Sequence, residues 1–389
     1  MAADQDDTYV ETTRTSWLGR LKNSLAGLVV GPLVIIGCIW GLAWNEGRSL
    51  RTAEALHEGQ RLVVTVQDAP VDPSFDGRLV RVSGEAKTSE VLADPLFGVE
   101  KNALWLRREA EMYQWKEQEK TTSEKNLGGS ETTKTTYTYS KVWSSSPISS
   151  TDFKRPTGHS NPGSFRVSGE RFVASNARLG DFRLSESLLT GLQNEGMVVV
   201  PEGQKSPAFA DAQALDGGFY FGSDPANPKI GDMRIRFFAV VPQSVTVIAA
   251  QIGDAFEPYA TSNGYPIELI SPGIRSAEAL FQDKLEENVL ITWLIRGFGL
   301  LFLWVGFSAP MQILVVLADV VPFVGSVVGL GTGFVAFILG LVTWTITIAA
   351  AWLAYRPLHA AALLGVVGIV GLLLVRRRAR RTRAVPAAA

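Results

Sequence analysis

The strongest pattern in this chain is the contrast between long apolar runs and a polar, alternating middle. Residues 25–44, LAGLVVGPLVIIGCIWGLAW, contain no charge. At about 1.5 Å per residue such a helix is about 30 Å long, matching a bilayer core. Further runs at 297–317, 330–354 and 357–375 predict three more spans, four in all. The first run ends in Trp44 rather than a small-residue cleavage site and passes straight into helix-forming sequence. It therefore reads as an uncleaved anchor rather than a signal peptide. The short connection ADVVPFVGSVVG carries Asp319 and Pro322 and predicts a turn at the membrane face, with a partly re-entrant segment as the alternative.

Between the anchors, residues 45–296 change periodicity. RLVVTVQ and GRLVRVSGE alternate apolar and polar positions around the turn-forming DAPVDPSFD. ALWLRREAEMYQWKEQEK and TYTYSKVWS read as an antiparallel pair, with TTSEKNLGGSETTKT as an exposed hairpin tip. SFRVSGERFVA, GMVVVP, MRIRFFAVV and SVTVIAAQI are further strand candidates. RVSGE occurs at 81–85 and 166–170 and is read as a weak sign of related strand–turn units. RTAEAL at 51–56 and RSAEAL at 275–280 flank the first two spans. Both are helix-prone, which predicts a stalk of two membrane helices prolonged side by side; two unrelated juxtamembrane helices are the alternative. The fold class is thus an α+β membrane protein with four transmembrane helices and a β-rich extracytoplasmic domain.

Charge supplies the orientation. The chain is 46% hydrophobic and 19% charged with a net charge of −1, which gives no reason to expect nucleic acid as a partner. Arg14, Arg20 and Lys22 precede the first span, and RRRARRTR at 376–383 follows the last. Positive residues favour the cytoplasm, so segments 1–24 and 376–389 are assigned there and 45–296 to the far side. The basic tail reads as a topology lock and anionic-lipid contact, ahead of nuclear targeting or a specific partner. Trp44, Trp293, Trp352 and Tyr355 fall at the outer interface and Trp17 at the inner one.

Candidate chemistry is sparse. Cys38 is the single cysteine, so no intramolecular disulfide forms, and His57, His159 and His359 lack metal-ligand spacing. No metal or cofactor is expected. Asn45, Glu46, Gly47 and Arg48 sit where the first helix leaves hydrocarbon, as an interfacial hinge or a partner contact, and Arg296 is expected to snorkel to the same interface. Along EMYQW, Met112 and Gln114 face one way and Tyr113 and Trp115 the other. The aromatic pair is read as core packing, with an interaction face as the alternative. His159 in GHSNP has the chemistry of a general base, but no nucleophile motif lies near it in sequence. Gly37 and Gly41, and Gly325, Gly329 and Gly333, recur every four residues and are candidates for close helix packing.

Several motifs resemble the LUMA (transmembrane protein forty-three) family. They are NEGR at 45–48 with TAEALHEG behind it, DPLFGVEKNALWLRREAEMYQWKE from Asp94 to Glu117, GHSNP at 158–162, IGDMRIRF at 230–237, AEALF leading into NVLITWLIRGFGLLF, and ADVVPFVG. The Ala-rich later spans and the RTRAVPAAA ending suggest a bacterial member. The resemblance implies a multipass protein with a large lumenal domain that self-associates, binds other membrane proteins and organises the membrane, without catalytic residues to carry over. The expectation is a non-enzymatic membrane scaffold, with a ligand-binding envelope sensor or accessory subunit next and an envelope hydrolase last. Its setting would be the plasma membrane if bacterial, or the endoplasmic reticulum or inner nuclear membrane if eukaryotic.

Overall fold

The structure is a computed structural model describing residues 7–355 except Asp216. It divides into two compact units. One comprises residues up to 13, 54–123 and 133–285; the other comprises 14–53, 124–132 and 286 onward.

The first unit is β-rich, and its centre is the strand Trp105–Lys125. From Trp105 to Met112 this strand pairs antiparallel with Met233–Val240, setting Met112 opposite Met233 and Ala110 opposite Ile235. An eight-stranded sheet runs in the order Asp7–Thr15, Glu131–Ser144, Trp105–Lys125, Met233–Val240, Gly218–Phe221, Gln213–Leu215, with two short strands attached. A seven-stranded sheet is built on Leu79–Lys87 and Gln243–Ile252, paired from Leu79–Ala250 to Ala86–Gln243. Period-two alternation turns every second side chain inward, and one buried cluster draws on both sheets. Trp105, Phe219 and Phe237 come from the first, and Val80, Val82 and Val247 from the second. Phe97 tilts on Phe219 at 5.0 Å, and Phe182 stacks on Phe256 at 4.8 Å. The short helix α3 (Glu186–Gly191) is N-capped by Ser185 and buries Leu188 and Leu189.

Three expectations change here. Asp7–Thr15, expected in a cytoplasmic segment, is an edge strand of the larger sheet. The second RVSGE lies mostly outside strands, whereas the first is inside Leu79–Lys87, so the echo marks no repeated unit. At EMYQW the inward face belongs to Met112 and Gln114, while Tyr113 and Trp115 are half-buried. Met233 opposite Met112 continues the core on that face, which fixes the register.

The second unit is helical. Helix α1 (Trp17–Leu25) is capped by Ser16, and Ala26 separates it from α2 (Gly27–Leu62). Helix α4 covers Ala277–Ala318 and α5 Pro322–Tyr355. Three helical stretches are long and apolar enough to cross a membrane. Three spans are therefore shown rather than four; the expected fourth, at 357–375, lies outside the described residues. The link between α4 and α5 is only Asp319–Val321, because Pro322 begins a helix where its missing N–H is harmless. That leaves no re-entrant segment.

Helices α2 and α4 run antiparallel in close contact. A methyl on Gly27 would stand 2.3 Å from the Ala309 carbonyl oxygen, and one on Gly31 would stand 2.6 Å from that of Gly306. One on Gly299 would meet Leu42 at 2.5 Å. The packing glycines are thus Gly27, Gly31, Gly299 and Gly306. Among the described residues, nothing lies within 4 Å of a would-be Cβ on Gly37, Gly41 or Gly333, and Gly329 makes only ordinary contact with Val315. Among the described residues, Gly325 alone of the glycines singled out by spacing is crowded, by Asp319. Spacing correctly marks a smooth helix face, but which face meets a neighbour depends on helix rotation, and that is not written in the spacing. Leu28, Val29, Leu33, Ile36 and Trp40 on α2 are exposed, as are Phe298, Phe302, Phe323, Leu330 and Phe334 on α4 and α5. Such surfaces suit lipid and not water.

Candidate functional site

The helical unit carries a polar cluster at each end of its apolar stretch. At one end, Glu46 of α2 and Arg296 of α4 form a two-point ion pair, Nε to Oε1 at 2.7 Å and Nη2 to Oε2 at 2.6 Å. Trp352 of α5 donates its indole N–H to Oε2 at 3.0 Å, so one carboxylate joins three helices. Glu46 is 5% exposed and Arg296 12%. The guanidinium lies 4.8 Å from the Trp293 ring, and Trp344 donates to the Arg296 carbonyl at 2.9 Å. Arg296 therefore turns inward rather than snorkelling outward, because a planar guanidinium matches a carboxylate at two points.

The other residues marked in NEGR join this node. Arg48 donates to Asn288 Oδ1 at 3.0 Å and Thr292 Oγ1 at 3.2 Å, and Asn45 donates to the Thr292 carbonyl at 3.4 Å. Ser49 closes the ladder by accepting from Asn288 at its carbonyl, at 2.9 Å. Gly47 presses on the Tyr355 ring: a methyl there would stand 2.6 Å from Cζ. Trp44 and Trp293 stay half-exposed at the same level. A cavity of about 70 Å³ lies among Glu46, Ser49, Leu50, Arg296, Ala351 and Trp352. It has room for ordered water and is too small for a lipid headgroup.

At the opposite end, Asp319 is fully buried. Arg20 meets its Oδ2 at 2.5 Å and Lys125 its Oδ1 at 2.8 Å. Arg20 also pairs with Glu131 at 2.7 Å and donates to the Gly129 carbonyl at 2.8 Å. Trp17 donates to the Val316 carbonyl at 2.8 Å, and the Gly128 N–H donates to that of Val320 at 3.0 Å. Gly129 is at φ +78, and a methyl on it would stand 2.4 Å from Trp17 Cδ1. The hairpin tip, expected to be free, is docked on the α4–α5 link. Its Gly-Gly reads as a turn in sequence, but the partner lies about 190 residues away and leaves no local signal. Glu46–Arg296 was equally hidden, since the two residues were marked separately and nothing in sequence joins them.

In the β-rich unit, Arg108 and Asp94 form a buried pair; Arg108 also donates to Glu170 at 2.7 Å and to the Ser168 carbonyl at 2.9 Å. Asp94 further accepts from the Leu96 and Phe97 N–H groups. Tyr113 tilts on Trp143 at 5.2 Å, and Lys141 lies 4.8 Å from the Trp115 ring. His159 is buried, stacked 3.8 Å from Tyr139, with its ring nitrogens 2.9 Å from the Arg155 carbonyl and Asp7. Both nitrogens are thus engaged in structural contacts. Tyr139 donates to Glu117 at 2.6 Å; burial and that carboxylate push its phenol up to about 12. Burial pushes the Glu111 carboxyl up, but hydrogen bonds and charge from Arg234 and Arg236 reverse this and hold it below the usual range.

The family profile described as Transmembrane protein 43 matches residues 112–357, more than half of the chain. This chain belongs to the transmembrane protein 43 family. Transmembrane protein 43 of Mus musculus is 34% identical over 397 aligned residues, covering 97% of this chain and 98% of the mouse protein. The Homo sapiens protein is 33% identical over 378, covering 94% of each. The Transmembrane protein 43 homolog of Drosophila melanogaster is 30% identical over 354, covering 86% and 91%. No solved structure matches. This family member is an integral membrane protein with several apolar helices, and its relatives' names state no enzymatic activity.

Proposed function

We propose that this transmembrane protein 43 family member is a non-enzymatic membrane scaffold that self-associates and presents its β-rich unit outside the cytoplasm. The observation that carries the reading is the Glu46–Arg296–Trp352 node. Both carboxylate oxygens are engaged, three helices meet on one group, and the cavity beside them, about 70 Å³, is too small for a lipid headgroup. Such a centre fixes helices in place and offers no free acid, base or nucleophile. Among the described residues nothing packs on the face of α2 bearing Gly37 and Gly41, and Ile36 and Trp40 beside it are exposed. A smooth apolar face of that kind accepts a second helix closely in lipid. The partners are the bilayer, further copies of the chain and other membrane proteins. The compartment is the plasma membrane if the chain is bacterial, or the endoplasmic reticulum or inner nuclear membrane if eukaryotic.

Crosslinking in native membranes followed by mass spectrometry tests this directly. Links between identical peptides of two copies are expected, together with a multimer in mild detergent. A monomer in every detergent and in native membranes refutes it. A groove of about 240 Å³ in the β-rich unit, lined by Trp143, Met197, Tyr220, Pro225, Arg234 and Arg236, favours a second reading as a ligand-binding sensor. The Arg236 Nε there is buried with no hydrogen-bond partner among the described residues.

A further inference from the structure

The groove between Trp143, Met197, Tyr220 and the two arginines of the β-rich unit owes its shape to a glycine. Antiparallel register sets Tyr220 opposite Arg234 and Phe219 opposite Ile235, so Gly218 falls beside Arg236. A methyl on Gly218 would stand 2.2 Å from the Ile235 carbonyl oxygen and 3.5 Å from Arg236 Cγ. No side chain fits there, and the space that one would fill opens beside the guanidinium. Met197, on the short strand Gly196–Val198, borders that opening and is 45% exposed.

Charge is placed unevenly around the groove. On the far flank, Arg234 stands opposite Glu111 and Arg236 opposite Glu109. Glu111 Oε2 accepts from Arg234 Nε at 2.6 Å and from Arg236 Nη2 at 2.7 Å, while Glu109 lies 3.8 Å from the same Nη2. Both carboxylates thus approach from the strand Trp105–Lys125. Among the described residues, the groove lining itself carries these two arginines and no acid. Arg234 commits only Nε, and Arg236 only Nη2, to acceptors among the described residues, and Arg236 Nε is buried with none. A guanidinium has five N–H donors in a planar fork, and both of these side chains are 36% exposed. The walls are apolar. The Arg234 guanidinium lies 4.6 Å from the Trp143 ring, which Tyr220 meets edge-on at 6.3 Å. The Tyr220 hydroxyl is engaged by Asp232 at 2.6 Å, so its ring is what it offers the groove.

We propose that this groove binds a small organic carboxylate, its aromatic or acyl body against Trp143, Tyr220 and Met197 and its carboxylate on the uncommitted edges of Arg234 and Arg236. A planar carboxylate matches a guanidinium at two points. Two guanidiniums hydrogen-bonded to one glutamate leave a positive charge for it to neutralise. The volume, about 240 Å³, lies just below that of drug-sized ligand pockets and suits about ten to fifteen non-hydrogen atoms. This names the ligand class for the sensor reading given above and rests on that reading.

The full chain in lipid nanodiscs is titrated calorimetrically with phenylpropionate and octanoate, and with their neutral amides. The acids are expected to bind saturably with a Kd of about 1 mM or below, and the amides at least tenfold more weakly. Arg236→Gln should weaken the acids at least tenfold and leave the amides unchanged; where it fails to fold, Arg234→Gln carries the same expectation. Arg183→Gln, which alters an exposed guanidinium on the seven-stranded sheet, should change neither. Met197→Trp fills the groove from an exposed position and should abolish binding of all four compounds. Equal affinity of acid and amide, or acid binding indifferent to the arginine variants, overturns the carboxylate assignment; the groove remains a ligand site if Met197→Trp still blocks it. No saturable binding of any compound, or binding that Met197→Trp leaves untouched, overturns both.

Discussion

Replacing Arg296 by Met removes one half of the node and leaves Glu46 with 5% exposure and, among the described residues, no countercharge and only the Trp352 indole as donor. Breaking a buried pair on one side destabilises by about 3–5 kcal/mol, because the remaining charge stays desolvated. Glu46→Met is expected to do less harm, since Arg296 is 12% exposed and keeps the Trp293 face. The double substitution removes both charges together, and an apolar replacement of similar volume is close to neutral or stabilising. The two single effects should therefore exceed the double effect by about 2 kcal/mol or more, a coupling within the range for residues in contact. Cys38 reports it conveniently, because its thiol lies 3.7 Å from the Gly299 carbonyl and is uncovered when α2 leaves α4. Its alkylation in mild detergent should quicken about 150-fold or more in Arg296→Met and return near the parent rate in the double variant. Single effects under about 1 kcal/mol, or additive ones, would place this pair among weak surface bridges and refute the node.

Gly47→Ala should push the Tyr355 ring away from α2, since the new methyl would stand 2.6 Å from it; faster proteolysis after Tyr355 with the β-rich unit intact is the expected sign. Asp94→Ala leaves Arg108 with Glu170 as its remaining countercharge but frees the Leu96 and Phe97 N–H groups, and should destabilise the β-rich unit by about 2–3 kcal/mol, read from its denaturant midpoint. Glu111 has a lowered pKa, so its contribution is complete above the ordinary glutamate range and lost as pH falls through the folded value. Glu111→Gln should flatten the acid limb of the stability profile. Tyr139 has a raised pKa, so its contribution is complete below about 10 and lost as pH rises towards about 12. Tyr139→Phe should remove that alkaline loss.

Much of the architecture is written locally. Length and apolarity mark the helices, and strict alternation marks Leu79–Lys87, Trp105–Lys125 and Met233–Val240, because each signal resides in consecutive residues. The strand at Asp7–Thr15 was also legible, since DTYVETTRT is rich in β-branched and aromatic residues, but its place before a basic membrane anchor suggested a cytoplasmic tail instead. The sites were legible only in part. NEGR and Arg296 stand out individually, yet their pairing depends on the rotation of two helices separated by 250 positions. The facing of Tyr113 and Trp115 went the other way because alternation defines two faces without naming the inner one. Glycine spacing is ambiguous for the same reason. Gly27 and Gly31 show the same four-residue interval as Gly37 and Gly41, and only the crossing point with α4 selects between them.

The central claim is that these helices anchor a self-associating framework, and native mass spectrometry of protein released from its own membrane tests it most directly. The account predicts a discrete species at an integral multiple of the chain mass, persisting on dilution. A single-chain mass at every concentration and in every mild detergent would contradict it.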